Sequence, residues 1–134
     1  MKRKLGMAVG LFAICAGSAL GMTAPAQAAG TGPHAGAFIL YEGEDFKQRH
    51  ATFHGSDIEL NNKYWDGSTS AFAQNGGSSM RNETGDYVGM WDIGTRCTGV
   101  SYTAKPHSED STFRNNPDDG HGGFDNKASC VKFL

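Results

Sequence analysis

The chain has 134 residues, with 12 Lys and Arg against 14 Asp and Glu, 10% aromatic residues and 19 glycines. That length suits one small domain with a modest core and is too short for two. Phosphate binding needs clustered Lys and Arg, and no basic stripe is present, so charge excludes nucleic acid as a partner.

Residues 1–28 read as an export signal. Lys2, Arg3 and Lys4 precede an uncharged stretch that runs from Leu5 to about Met22, and Ala26-Gln27-Ala28 supplies a small-x-small cleavage pattern. Gly6, Gly10, Gly17 and Gly21 dilute the apolar run too far for a membrane anchor, and nothing later approaches the roughly 20 apolar residues that a span needs. Cleavage after Ala28 removes three basic residues and no acid, leaving 9 minus 14, or −5. The expected product is secreted, extracellular and monomeric, with no membrane association once the signal is gone. Cys15 leaves with the signal, and Cys97 and Cys130 remain as an even pair in an oxidising compartment, which reads as a disulfide. Two inert buried thiols or one reactive thiol are the alternatives, but neither CxxC spacing nor an adjacent His supports them. A bridge across these positions removes roughly 3 to 4 kcal/mol of unfolded-state entropy in the chain model.

Residues 29–36, rich in Gly, Pro, Thr and His, read as a flexible leader, and the domain is expected over 37–134. Its apolar signals are short and bounded by turn residues: 38–41, 51–53, 71–73, 87–91, 100–102, Phe124 and 131–134. No segment after the signal holds helical periodicity for three turns, so the fold class is all-β. The stretch 56–66 is compatible with a helical turn that sets Ile58 and Leu60 over Tyr64 and Trp65.

One short polar pattern occurs twice, as QNGGSS at 74–79 and DNKASC at 125–130, 51 positions apart. Each copy suits a tight turn whose carbonyl and hydroxyl oxygens converge on a hard cation. Asx, Ser and Gly are also what any β-turn recruits, because their side chains bond nearby backbone or supply positive φ. The matching frames favour the ion reading. Tyr41-Glu42 with Phe46 precedes the first box, and Trp91-Asp92 with Arg96 and Cys97 precedes the second. Tyr41 to Gln74 spans 33 positions and Trp91 to Asp125 spans 34.

These residues resemble the two Greek-key motifs of a βγ-crystallin domain, and the resemblance runs from about Phe38 to Leu134. DNKASC fits the D/N-D/N-x-x-S/T-S box in five of six places, with Cys130 for the last Ser. QNGGSS departs at Gln74, Gln48 stands where the family has a hairpin-folding glycine, and Arg96 replaces the second motif's second aromatic. The resemblance implies a sandwich of two Greek keys, in which the box of one motif and the hairpin acid of the other share a Ca²⁺. Glu42 would join the Lys127 carbonyl and Ser129 hydroxyl, and Asp92 the Gly76 carbonyl and Ser78 hydroxyl. With one carboxylate per site, the expected affinity is weak, roughly 10⁻⁴ to 10⁻³ M. Tyr41, Phe46 and Trp91 are expected to pack in the core or cover a hairpin.

A signal, a single domain and a Cys in the second motif further resemble small exported bacterial proteins grouped with microbial metalloproteinase inhibitors. That resemblance implies an extracellular protease as partner; the long polar stretches 105–119 and 61–70 are the candidate loops, with Tyr64 and Trp65 as aromatic anchors. A calcium-binding structural or stress module without inhibitory activity, and a secreted toxin, are the alternative readings. Other chemistry is thinner. His50 and His54 have Zn²⁺-ligand spacing for a helix, but the intervening residues read as strand. The run 118–123 lacks the twelve-residue frame and closing Glu of an EF-hand. Asn82-Glu83-Thr84 fits a glycosylation acceptor. An enzyme is not expected: no GxSxG, HExxH or Cys-His arrangement is present, and Glu109 and Asp110 have no obvious partner carboxylate across a cleft.

Overall fold

The computed structural model describes residues 35–116 and 123–134. Residues 1–28, read above as an export signal, most of the 29–36 leader and most of the 118–123 run lie outside the described residues. Short alternating strands build two antiparallel sheets. The first orders β2 (His50–Phe53), β1 (Phe38–Tyr41), β3 (Ser79–Asn82) and β6 (Ser108–Asp110). The second orders β5 (Thr98–Ala104), β4 (Val88–Ile93) and β7 (Cys130–Phe133). The all-β expectation is met. Alternation fixes which face turns inward: Phe38, Leu40, Ala51, Phe53 and Met80 come from one sheet, and Val88, Met90, Tyr102, Ala104, Val131 and Phe133 from the other. Tyr102, Phe113 and Phe124 close one side of the core, with ring centroids 4.9 to 6.0 Å apart.

The duplication seen in the boxes extends to segments whose sequences differ. In the second half, β6 crosses to the other sheet and pairs with β3, setting Asp110 opposite Met80. In the first half the crossing segment reduces to one bridge, Asp57 to Val131, made by reciprocal backbone bonds of 2.8 Å. Each Asp caps its own turn two residues on: Asp57 Oδ1 accepts from Glu59 N at 3.1 Å, and Asp110 Oδ1 from Thr112 N at 3.0 Å. Three residues after each Asp stands a fully buried apolar side chain, Leu60 and Phe113. Their amides donate to the carbonyls of Ser129 at 3.1 Å and Ser78 at 2.9 Å. Within 56–66 the backbone closes only one short turn, with Asn62 N donating to the Glu59 carbonyl at 3.4 Å and Lys63 N to the Leu60 carbonyl at 3.3 Å, because the backbone before it is committed to the opposite half. Leu60 and Trp65 are buried there, while Ile58 and Tyr64 face outward.

Asn82 is a lock in the core wall. Its Nδ2 donates to the carbonyls of Asp86 at 2.8 Å and Lys105 at 2.9 Å, while Oδ1 accepts from Thr84 N at 3.1 Å and Thr84 Oγ1 at 2.6 Å. With Asn82 2% exposed, the acceptor reading of Asn82-Glu83-Thr84 fails, since the amide is turned inward and used. Replacing Asn82 by Ala removes four hydrogen bonds, two donated to the Asp86 and Lys105 carbonyls and two accepted from Thr84. It is expected to cost about 2 to 4 kcal/mol, read from the urea midpoint at unchanged slope.

Candidate functional site

Each half folds its first two strands into a hairpin that bends over the sheet. The first needs left-handed backbone at Asp45 (φ 55°), Phe46 (φ 58°) and Gln48 (φ 64°). The second has it at Thr95 (φ 60°), Cys97 (φ 49°) and Gly99 (φ 85°). Because Tyr41 pairs with His50 but Trp91 with Ser101, the second hairpin is one residue longer, and Gln48 and Gly99 hold corresponding places. Gln48 therefore adopts the conformation that glycine supplies without strain in the other half. Tyr41 covers the first hairpin edge-on to Phe46, with centroids 5.6 Å apart.

What holds each hairpin down differs. The Ser79 hydroxyl donates to the Gly43 carbonyl at 2.6 Å and accepts from Phe46 N at 3.1 Å. Cys130 occupies the position of Ser79 in the second half and is bonded to Cys97, with Cα atoms 5.5 Å apart. The expected disulfide is thus the covalent counterpart of a hydroxyl bridge.

The two boxes lie back to back across an approximate twofold. Asn75 N donates to the Ala128 carbonyl at 2.8 Å, Asn126 N donates to the Gly77 carbonyl at 2.9 Å, and both asparagines are left-handed (φ 52° and 56°). Ser78 N donates to the Tyr41 carbonyl and Ser129 N to the Trp91 carbonyl, each at 2.8 Å. Those two bonds set each serine beside the acid of its own half. Glu42 and Asn126 of the second box line one hollow of about 520 Å³ together with Ser78, Glu44, Asp45 and Arg114. The serine that lines this hollow with Glu42 is Ser78, where the resemblance implied Ser129. Ser129 stands on the Asp92 side instead, and its hydroxyl donates to Asn75 Oδ1 at 2.8 Å. Gly76 lies under the Trp65 ring, where a Cβ would come 2.7 Å from it, and Lys127 extends Nζ to the Gly123 carbonyl at 2.7 Å.

The electrostatics of the halves also differ. Arg49 grips Glu42 with two bonds, Nε to Oε2 at 2.7 Å and Nη2 to Oε1 at 2.5 Å. Those hydrogen bonds, opposed by partial burial and aided by the guanidinium charge, hold the Glu42 carboxyl below its ordinary range. Arg114 spans Glu44 at 3.0 Å and Asp125 at 3.4 Å. Asp92 Oδ1 and Asp125 Oδ1 are buried without a hydrogen-bond partner among the described residues. Asp92 Oδ1 packs on the bare Cα of Gly99, where any Cβ would collide with it. No group of three or more His, Cys, Asp or Glu could hold a metal among the described residues, so a cation would have to draw on carbonyl and hydroxyl oxygens as well.

The other candidate residues serve the fold. His50 lies on a strand, 3.6 Å from Asp66, and His54 Nδ1 contacts the Gly36 carbonyl. Glu109 faces Arg81 at 3.4 Å, and Asp110 accepts from Tyr102 Oη at 3.0 Å and Asn116 Nδ2 at 2.6 Å. Of the stretch 105–119, residues 105–116 are described, and they contain β6 and the 3-10 turn Phe113–Asn115 with buried Phe113. Within 61–70, Trp65 is 2% exposed and cannot anchor a partner, whereas Tyr64 is 42% exposed and stacks on exposed Phe72 at 4.6 Å. Sequence reasoning passed over Arg49, Arg114, Asn75 and Asn126. The asparagines were legible as the second letter of each box.

No protein-family model and no curated protein matches the chain. Solved structures do. A beta gamma crystallin from Ciona intestinalis aligns over 74% of this chain and all of its own, at TM-score 0.56 and 23% identity. A βγ-crystallin from an archaeon covers 73% and 96% at TM-score 0.52 and 14% identity. A βγ-crystallin domain from Clostridium beijerinckii covers 74% and 98% at TM-score 0.53 and 14% identity. The fold is that of a βγ-crystallin domain.

In this βγ-crystallin-like domain the Glu42–Arg49 pair gives a pH signature. Because the folded-state value of Glu42 is depressed, its contribution to stability is present above the ordinary value of 4.5 and is lost as pH falls through the lower folded value. A carboxylate NMR titration is expected to place the Glu42 midpoint below 4.5 and to move it back toward 4.5 in Arg49→Gln.

Proposed function

We propose that the protein is an exported βγ-crystallin-type module that binds Ca²⁺ weakly and is stabilised by it. The observation that carries this reading is Asp92 Oδ1, a buried carboxylate oxygen with no donor among the described residues, in the hairpin position that corresponds to Glu42. Burying such an oxygen unpaired is costly. A cation that accepts six to eight oxygens in loose geometry offsets that cost. Asp92 and Ser129 serve one half and Glu42, Ser78 and Asn126 the other, with the Gly76 and Lys127 carbonyls completing the set that the resemblance implies. The role is binding, not catalysis, and export rests on residues 1–28.

At 10 mM Ca²⁺ and a dissociation constant of about 1 mM, mass action adds about 1.4 kcal/mol per site. In a domain of this size the expected rise in Tm over chelator is roughly 5 to 10 °C. Asp92→Asn is expected to remove most of it. An unchanged Tm in the unmutated protein would end the calcium reading.

Inhibition of an extracellular metalloproteinase is a second reading, favoured by the segment 63–73. Its base is tied by Trp65 N to the Ala71 carbonyl at 3.1 Å and Ala73 N to the Lys63 carbonyl at 2.8 Å, and it presents the stacked Tyr64–Phe72 pair outward. Such a preorganised aromatic loop loses little entropy on docking. Inhibition of a thermolysin-like protease at micromolar dose, weakened at least tenfold by Tyr64→Ala, is the expected result. Equal inhibition by both proteins, or none, rejects the reading.

A further inference from the structure

The two halves offer a cation unequal positions. In the first, both oxygens of Glu42 are taken by Arg49, Asp45 is held by Lys47 at 3.3 Å, and Arg114 holds Glu44 and Asp125. Four carboxylates there face three fixed cations, a formal balance of −1. A guanidinium presents a planar fork that satisfies a carboxylate at two points, so Arg49 gives Glu42 what a divalent ion would. In the second half no cation pairs with Asp92 among the described residues, and its Oδ1 stays without a partner.

We infer that Arg49 is a built-in occupant of the first cation position, so that the domain takes up one Ca²⁺, at Asp92, and a second only when Arg49 is removed. The inference rests on the calcium reading and concerns which half carries the ion. Weak sites make the latch effective. Where the intrinsic dissociation constant is roughly 10⁻⁴ to 10⁻³ M, a further penalty of about tenfold for displacing the guanidinium empties the site at millimolar Ca²⁺. The free Asp125 Oδ1, the Ser78 hydroxyl and the released Glu42 are the groups that the first half would then offer.

Calorimetric titration of the purified protein with CaCl₂ tests this. The expected stoichiometry is near one for the unmutated protein and for Glu42→Gln, near zero for Asp92→Asn, and near two for Arg49→Gln. The Arg49 side chain is 45% exposed, and the hairpin uses only its backbone carbonyl, which accepts from Glu42 N at 2.9 Å. Arg49→Gln is therefore expected to keep the fold, checked by its thermal transition in chelator, and Arg49→Lys, which keeps charge without the fork, should fall between one and two. Two ions in the unmutated protein, loss of the ion in Glu42→Gln, or no gain in Arg49→Gln overturns the latch and leaves calcium binding standing. No ion in the unmutated protein but one in Arg49→Gln supports the latch and rejects Asp92 as a site. No ion in any variant overturns both.

Discussion

Each half of this domain hands its crossing segment to the other, and the sandwich depends on that exchange. Asp110 and its strand complete the first sheet beside Met80, while Asp57 meets Val131 of the second. Leu60 and Phe113, three residues on, are then drawn into the shared core with their amides bonded to the serine carbonyls of the opposite boxes. Neither half satisfies its own backbone or buries its own apolar face alone, so the two are expected to behave as one cooperative unit. The back-to-back boxes follow from the same exchange. Asn75 and Asn126 can turn left-handed and reach across because the crossing segments have brought the halves into contact.

Within that frame the halves have diverged in how they hold their hairpins. A hydroxyl does it at Ser79, through two hydrogen bonds of ordinary strength, and a covalent bond does it at Cys130. The hairpin with the weaker tie also carries Gln48 in the strained conformation, whereas the disulfide-tied one has Gly99. At that one position, the relaxed residue and the covalent tie thus fall in the same half. That half also contains Asp92, whose oxygen has no partner among the described residues, while the hydroxyl-tied half has its acid neutralised by Arg49.

The sequence carried much of this on its surface. Two boxes in frames that agree within one residue, each preceded by an aromatic and an acid, were enough for two Greek keys, and the cysteine count was enough for the bridge. Asp57 with Leu60 and Asp110 with Phe113 are as equivalent in space as the boxes, yet only the Asp is common to both, because a buried Leu and a buried Phe meet the same packing demand. The first crossing segment misled by its apolar spacing, which matches a helical turn but serves a bridge whose partner lies 74 positions away. The exchange of the two serines was hidden for a different reason. The family pattern names which oxygens serve a cation, and the backbone bonds from Ser78 to Tyr41 and Ser129 to Trp91 decide which acid each hydroxyl faces. Arg49 was unremarkable as a letter and acquires meaning only from its place across the hairpin from Glu42.

The strand β7 follows every other strand in chain order, yet it is the one on which both β4 and Asp57 pair. The first sheet is complete once Asp110 has been laid down, but the second sheet and the dock for the first crossing segment both wait for residues 130–133. Long-range pairing of this kind slows closure, so loss of the last strand would leave β4 and Asp57 unpaired together.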